Sequence, residues 1–109
     1  MDLQSVIAQT YQPTVPMSTP EQKEDIIELL AETGKAHHQA FIATDGDDPE
    51  WPMWYAEFMH TKLMDIMDLN FTQSELIYVL VAADLEHQDE APDTEWFRFY
   101  AGFIVESLT

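Results

Sequence analysis

The stretch HHQAFIATDGDDPEWPMWYAEF, residues 37–58, carries the most specific local signals in this chain. It holds two of the four histidines, two of the six prolines and two of the three tryptophans in one connection. The pair Asp45-Gly46 is typical of a turn that ends a helix. Asp48-Pro49 is typical of a helix start, because the first turn leaves backbone N–H groups without intrahelical partners and so tolerates proline. The stretch therefore predicts a sharp connection between two helices.

The sequence that precedes this connection also contains helical signals. Thr19-Pro20-Glu21-Gln22 is a capping box with proline at the first helical position. The helix that starts there is predicted to bury a stripe that includes Ile26, Ile27, Leu30, Gly34 and Phe41. A shorter helix nearer the N-terminus is predicted by apolar residues on one face, at Leu3, Val6, Ile7 and Tyr11. A proline-containing linker joins the two.

Helical signals also continue after the connection. Thr72 and Glu75 form a second capping box, with Phe71 placed to pack against the following turn. This helix must end before Pro92, and Asp93 or Thr94 is expected to cap the next one. Each of these two helices has an apolar stripe predicted to face the core of the bundle. The stripe of the first is Leu76, Ile77, Leu80 and Val81. The stripe of the second is Trp96, Phe97, Tyr100, Phe103, Ile104 and Leu108. No run has the alternation of a strand.

The sequence thus predicts an all-α fold, a compact bundle of about five helices in a single domain over residues 1–109. Residues 1–19 would form the N-terminal helix and linker, and residues 20–109 the bundle core. With 46% hydrophobic residues, a chain of this length has enough apolar side chains for one core. The absence of cysteine, of a secretion signal and of a long apolar run indicates a cytoplasmic protein.

The charge of the chain restricts its partners. Twenty-one acidic residues against four basic ones give a formal net charge of −17. Direct binding to nucleic acid requires clustered cations, so it is not expected, and an anionic membrane surface is disfavoured for the same reason. An acidic surface favours solubility and association with basic proteins, or imitation of a nucleic acid. The sequence therefore predicts a basic protein partner and leaves the oligomeric state open, a homodimer included.

One polar cluster is predicted inside the bundle. At about 100° per residue, His37 faces the apolar stripe of its helix with His38 at the edge, and Asp84 and His87 face inward from a later helix. Buried polar groups need partners, so these side chains are expected to meet one another. The favoured interpretation is a structural hydrogen bond that docks two helices. The alternative is a metal site made by His37, Asp84 and His87.

The acids and tryptophans of the connection form a second group of interest. Asp47, Asp48 and Glu50 do not have the ligand spacing of a calcium loop, so roles in turn formation and capping are favoured over a weak cation contact. At helical spacing the neighbouring aromatic residues are expected to be core residues first. If one of them reached solvent, the group would be the apolar anchor for a basic partner; its members are Trp51, Trp54 and Tyr55.

The sequence contains no motif of nucleophilic catalysis and no phosphate-binding glycine loop. These observations favour a non-enzymatic, acidic protein-interaction module without a cofactor, which acts by binding a basic protein. The first alternative is a nucleic-acid mimic that inhibits a DNA- or RNA-binding protein. The second is a metal-binding protein or enzyme that uses the histidine–aspartate cluster.

The central half of the chain also resembles a family. The segments AHHQAF, DGDDPEWPMWYAEF and FTQSELIYVL are similar to the signature HHxAF, DGxDPxWPxWYAxY and TQSxLxYxL of short uncharacterised helical proteins from cyanobacteria and other bacteria. Phe58 stands where that pattern has tyrosine. The resemblance implies the same helix boundaries and brings no activity with it.

Overall fold

The computed structural model of this protein describes residues 20–109, and the N-terminal helix predicted for residues 3–11 lies outside them. Within the described part there are four α-helices and no strand, so the all-α class is confirmed. The helices are α1 (Pro20–Ala40), α2 (Trp51–Met67), α3 (Gln73–Glu90) and α4 (Trp96–Leu108), with a 3₁₀ helix at Ile42–Thr44.

The four helices are arranged as a ring in which α1 packs on α2 and α4, and α3 packs on the same two helices from the other side. Each helix runs opposite to its neighbours. At one end of the bundle, the Gln22 side chain near the start of α1 donates a hydrogen bond of 3.2 Å to the Ile66 carbonyl near the end of α2. We call the other end, where residues 41–50 and 91–95 connect the helices, the loop end. This up-and-down order places α1 and α3 diagonally across the core.

The core is built from all four helices. The largest fully buried apolar side chains are Ile26, Leu30, Met59, Leu63, Leu76, Leu80 and Ile104. Thr33 is also fully buried, and its hydroxyl donates to the Leu29 carbonyl one turn earlier at 2.6 Å. Such back-bonding lets a hydroxyl enter an apolar core without an unpaired polar atom.

The capping box at the start of α3 is confirmed in full. The Thr72 hydroxyl accepts from the Glu75 backbone N–H at 3.0 Å, and the Glu75 carboxylate accepts from the Thr72 N–H at 2.8 Å. Phe71 and Leu76 are both buried beside it. α3 ends at Glu90, before Pro92 as expected.

Three helix boundaries differ from the prediction. α2 begins at Trp51, so Asp48-Pro49 lies in the connection and does not start the helix. The first long helix leaves α-geometry at Ala40, and the 3₁₀ turn extends to Thr44 before Asp45 and Gly46 take left-handed backbone angles. α4 begins after Glu95 and has no side-chain cap, so the expectation that Asp93 or Thr94 caps it was wrong. The Thr94 carbonyl instead accepts a hydrogen bond from His87. That contact comes from the packing of α3 and could not be read from the capping pattern.

Candidate functional site

His37 and Asp48 form the central polar contact of the loop end. His37 is buried, as its phase on α1 predicts, and its Nε2 lies 2.9 Å from Asp48 Oδ2. The other carboxylate oxygen of Asp48 accepts the Glu50 backbone N–H at 3.0 Å. One aspartate therefore closes the turn before α2 and holds the buried imidazole. The prediction that Asp48 caps α2 is wrong, because the helix begins at Trp51 after Glu50 and has no side-chain cap. Asp48 closes the preceding turn instead, which agrees with the predicted role of these acids in turn formation.

Aromatic rings surround the buried imidazole. The ring centroid of His37 lies 4.8 Å from Phe41, 5.1 Å from Trp54 and 5.3 Å from Tyr55. Trp51 meets the edge of Tyr55 at 5.1 Å between centroids. The Trp51, Trp54 and Tyr55 side chains are half-buried. Trp51 and Tyr55 pack against the core, and Trp54 stacks on Phe58. The structural role expected first for this group accounts for these contacts.

Trp96 of α4 completes the aromatic cluster by approaching α1 at Gly34. A Cβ atom at Gly34 would lie 2.8 Å from the Trp96 ring and 3.3 Å from the Tyr55 hydroxyl. Real side chains do not tolerate the shorter distance without a shift of the indole. Glycine costs a helix about 1 kcal/mol relative to alanine. The close approach of α4 to α1 is the physical reason for a glycine here.

Asp84 and His87 face α4 and not His37. Asp84 accepts hydrogen bonds from the Tyr100 hydroxyl at 2.8 Å and from the Gln88 amide at 2.9 Å. His87 Nε2 lies 2.6 Å from the Thr94 carbonyl and donates to it, because a carbonyl only accepts. The predicted convergence of His37, Asp84 and His87 is therefore wrong. Their helices lie diagonally across the bundle, and each side chain is bonded to a nearer partner.

No metal site is formed by the predicted residues. Between Pro20 and Thr109, no three histidine or acidic side chains are grouped so that they could hold an ion. His38 is about half exposed, with its Nε2 3.9 Å from the Asp45 carboxylate and its ring against Gly46. His38 therefore does not join the interior polar cluster.

Tyr100 joins this aromatic cluster through contacts with Trp51 and Trp96, and both Tyr55 and Tyr100 are held in the neutral form. Burial raises the pKa of Tyr55 above its usual value. Burial, and then the hydrogen bond to Asp84, raises the pKa of the Tyr100 hydroxyl far above its usual value. A tyrosine with a raised pKa stays protonated, so it can donate a hydrogen bond and does not supply a phenolate as a general base. Tyr100 makes that donation to Asp84.

An open groove of about 440 Å³ lies over this cluster, between α1, the 41–50 connection and the start of α4. Its wall includes Gly34, Lys35, His38, Tyr55 and Trp96. The groove is shallow and mixes polar and apolar groups. The described side chains around it offer contact to a ligand but do not pair a nucleophile with a base.

A surface that sequence reasoning missed lies on the outward side of α3. Tyr78, Val81 and Leu85 are 75%, 38% and 62% exposed. Val81 was expected to face the core, and its exposure corrects that prediction. The signal was present in the sequence: residues 76–81 are six consecutive apolar residues. One face of a helix takes only about half of such a run, so the remainder must point outward.

The acidic side chains cover the outside of the bundle. In residues 20–109, every Asp and Glu is exposed except Asp48 and Asp84, which are half-buried. Asp47 and Glu50, the candidate acids of the 41–50 connection, are therefore part of this surface. Lys62 Nζ lies 3.3 Å from Glu32, and Arg98 Nε lies 2.8 Å from Glu95. Few cations remain to offset the other carboxylates.

Comparison of the chain with protein-family models, with curated proteins and with solved structures found no match. None of the helices in residues 20–109 combines the length and the apolar character needed to cross a membrane.

Proposed function

We propose that this protein is a non-enzymatic interaction module that binds a basic protein through its acidic surface. The observation that carries the proposal is the exposure of nearly every carboxylate in residues 20–109, with only four basic residues in the whole chain. Uncompensated charge of one sign raises the local concentration of oppositely charged partners and speeds their association. The proposed partner is therefore a protein with a cationic contact surface.

The interior polar groups support a binding role over a catalytic one. His37 is bonded to Asp48, Asp84 to Tyr100, and His87 to the Thr94 carbonyl. In each case the partner belongs to a neighbouring element of the bundle, so the contact fixes how two elements pack. A general base needs access to a substrate proton at hydrogen-bond distance. These three side chains use their polar atoms to hold the fold.

The test is affinity capture followed by direct binding between purified proteins. We expect a reproducible partner of high isoelectric point. Its affinity should fall steeply as salt rises from about 0.05 to about 0.3 M, because exposed charges are screened within about 10 Å at 0.1 M. Neutralising Glu24, Glu28 and Glu32 together as glutamine should weaken binding.

A matched control keeps the charge while changing the same helix. Gln39→Ala alters an exposed residue of α1 and should leave the affinity unchanged. A partner that binds equally at low and high salt, or turnover of a small molecule by the purified protein, would contradict the proposal.

A second candidate, a nucleic-acid mimic, is favoured by one feature of α1. Glu21, Asp25, Glu28 and Glu32 are exposed and follow one face of the helix at spacings of four, three and four residues. At 1.5 Å per residue the row spans roughly 16 Å. One strand of DNA carries a charge about every 3.4 Å along its axis. The two charge densities are of the same order.

The two candidate functions predict different results when nucleic acid and this protein compete for the captured partner. If the partner is a DNA- or RNA-binding protein, its nucleic acid and this protein should exclude each other from one site. If the captured partner binds both together, the mimic is ruled out while the more general interaction role stands.

A further inference from the structure

The outward face of α3 carries an apolar stripe without a partner among the described helices. Tyr78, Val81 and Leu85 are exposed and occur at positions i, i+3 and i+7, so they form one line along the helix. Single exposed apolar residues are normal on a protein surface. An aligned set of three is the pattern with which one helix contacts another.

The stripe adjoins a groove between α3 and α4. The groove has a volume of about 370 Å³ and is lined by Tyr78, Val79, Ala82, Phe103 and Leu108, with Glu75 at its edge. Tyr78 belongs to both features, so the stripe and the groove form one continuous surface. Such a surface can receive the side chains of an adjacent helix along about three turns.

Anionic side chains border this surface and α3 contains no lysine or arginine. At about 100° per residue, Glu75, Glu86 and Asp89 lie along the groove side of the stripe. All three are exposed. The Glu86 pKa is raised by a hydrogen bond with Glu90 and by repulsion from it, which shows how closely the carboxylates are crowded. A cation placed beside them would offset that repulsion.

We infer that the stripe of Tyr78, Val81 and Leu85, with the adjoining α3–α4 groove, is the docking surface for a basic amphipathic helix of the partner protein. The inference rests on the proposed function and names the surface and the form of the partner. The apolar face of the incoming helix would cover the stripe. Its lysines and arginines would lie against the acids of α3.

Charge complementarity selects this occupant over two others. A second copy of the chain would place the same acids against one another, with a formal charge of −17 on each copy. Residues 1–19 of the chain contain no lysine or arginine, so they offer no cationic side chain to Glu75, Glu86 or Asp89. Of these three occupants, a basic helix is the one that satisfies both the apolar and the anionic parts of the surface.

The test uses defined peptides on the full chain. The first is an amphipathic helical peptide of leucine and lysine, about five turns long. The second keeps the leucines and replaces lysine by glutamate, and the third has the first composition in scrambled order. We expect saturable binding of the first peptide only, measured by calorimetry. Amide shifts in the NMR spectrum should map to the outward side of α3, and the pKa of Glu86 should fall in the complex.

Two double variants distinguish binding of the peptide at the α3 surface from general attraction by charge. The double variant Tyr78→Ser, Leu85→Ser should weaken binding of the basic peptide at least about tenfold, because each substitution removes an apolar side chain from the contact. The matched control, Ile42→Ser with Met53→Ser, removes two exposed apolar side chains elsewhere, 58% and 49% exposed, and should change affinity less than about twofold. Thermal melts should show that both variants fold.

Each of the following four outcomes would overturn the inference. Equal binding by both double variants would leave the acidic interaction role intact and reject the α3 surface. If the basic peptide does not bind the wild-type protein, the α3 surface is also rejected. The affinity-capture experiment tests the proposed interaction role independently of this result. A dimer that Tyr78→Ser, Leu85→Ser abolishes would identify a second copy as the occupant. Cross-links from residues 1–19 to α3 in the free protein would identify the chain itself.

Discussion

The loop end of the bundle and the outward face of α3 use apolar side chains in opposite ways. At the loop end, the rings of Phe41, Trp54 and Tyr55 surround buried His37, which is bonded to Asp48. No fully buried side-chain polar atom of residues 20–109 lacks a hydrogen-bond partner. On α3, Tyr78 and Leu85 extend from the surface with most of their area exposed. The most conspicuous residues of the sequence therefore hold the fold together, and ordinary aliphatic and aromatic residues on a helix form the better candidate for contact.

The largest effect should come from Asp48 at the loop end. Asp48→Ala removes the partner of buried His37 and the acceptor for the Glu50 N–H, so we expect a loss of about 2–3 kcal/mol in the free energy of unfolding. Urea denaturation measures it. Asp47→Ala changes an exposed neighbour and should alter stability by less than about 0.5 kcal/mol. Equal effects of the two variants would show that the His37 contact contributes nothing.

The next effect should come from the close approach of Trp96 to α1. Gly34→Ala places a Cβ atom 2.8 Å from the indole, and overpacking should exceed the gain in helix propensity by about 1–2 kcal/mol. Gly102→Ala is the matched control, because its nearest neighbour is Lys23 Nζ at 3.7 Å. It should stabilise the protein by about 0.5–1 kcal/mol. A lower melting temperature for Gly34→Ala and a higher one for Gly102→Ala would confirm the contact. A higher melting temperature for both variants would refute it.

Tyr100→Phe tests the link between α3 and α4. Loss of the hydrogen bond to Asp84 should reduce stability by about 1 kcal/mol at neutral pH. Because the pKa of Tyr100 is raised in the folded state, its contribution is complete below the usual tyrosine pKa of 10.0 and is lost as pH rises beyond it. The melting temperature of the wild type should therefore fall more steeply above that pH than that of the variant. Parallel curves would contradict this assignment.

The smallest effect on stability should come from the apolar stripe. Leu85→Ser removes a side chain that is 62% exposed, so the free energy of unfolding should change by less than about 0.5 kcal/mol. Leu80→Ser, on the buried side of the same helix, should be severely destabilising. A large loss from Leu85→Ser would mean that the stripe is already covered within the protein, and the contrast with the loop end would disappear.

The sequence predicted the parts of the fold that depend on local rules. The Thr72–Glu75 capping box, the end of α3 before Pro92 and the inward direction of His37 follow from neighbours within a few residues. Helical phase gives the direction of a side chain relative to its own axis. It does not say which helices are adjacent in the ring. For that reason helical phase predicts a contact between His37 and Asp84, although their helices lie diagonally opposite in the bundle. The observed partner of His37 is Asp48, in the loop eleven residues away.

The missing cap of α4 and the exposed stripe have a similar origin. Asp93 and Thr94 match capping preferences, but the packing of His87 fixes the path of that short connection. Val81 belongs to an apolar run that is longer than one helix face, and sequence alone does not decide which side of the run is covered. Both outcomes depend on tertiary packing, which overrides local preference.

The location of the three tryptophans has a consequence for experiments on this molecule. Trp51, Trp54 and Trp96 all lie in the aromatic cluster at the loop end, so tryptophan fluorescence reports on that end alone. Fraying where α2 turns into α3 would not change that signal, whereas amide hydrogen exchange would detect it. Agreement between the two signals would show that the bundle melts as one cooperative unit.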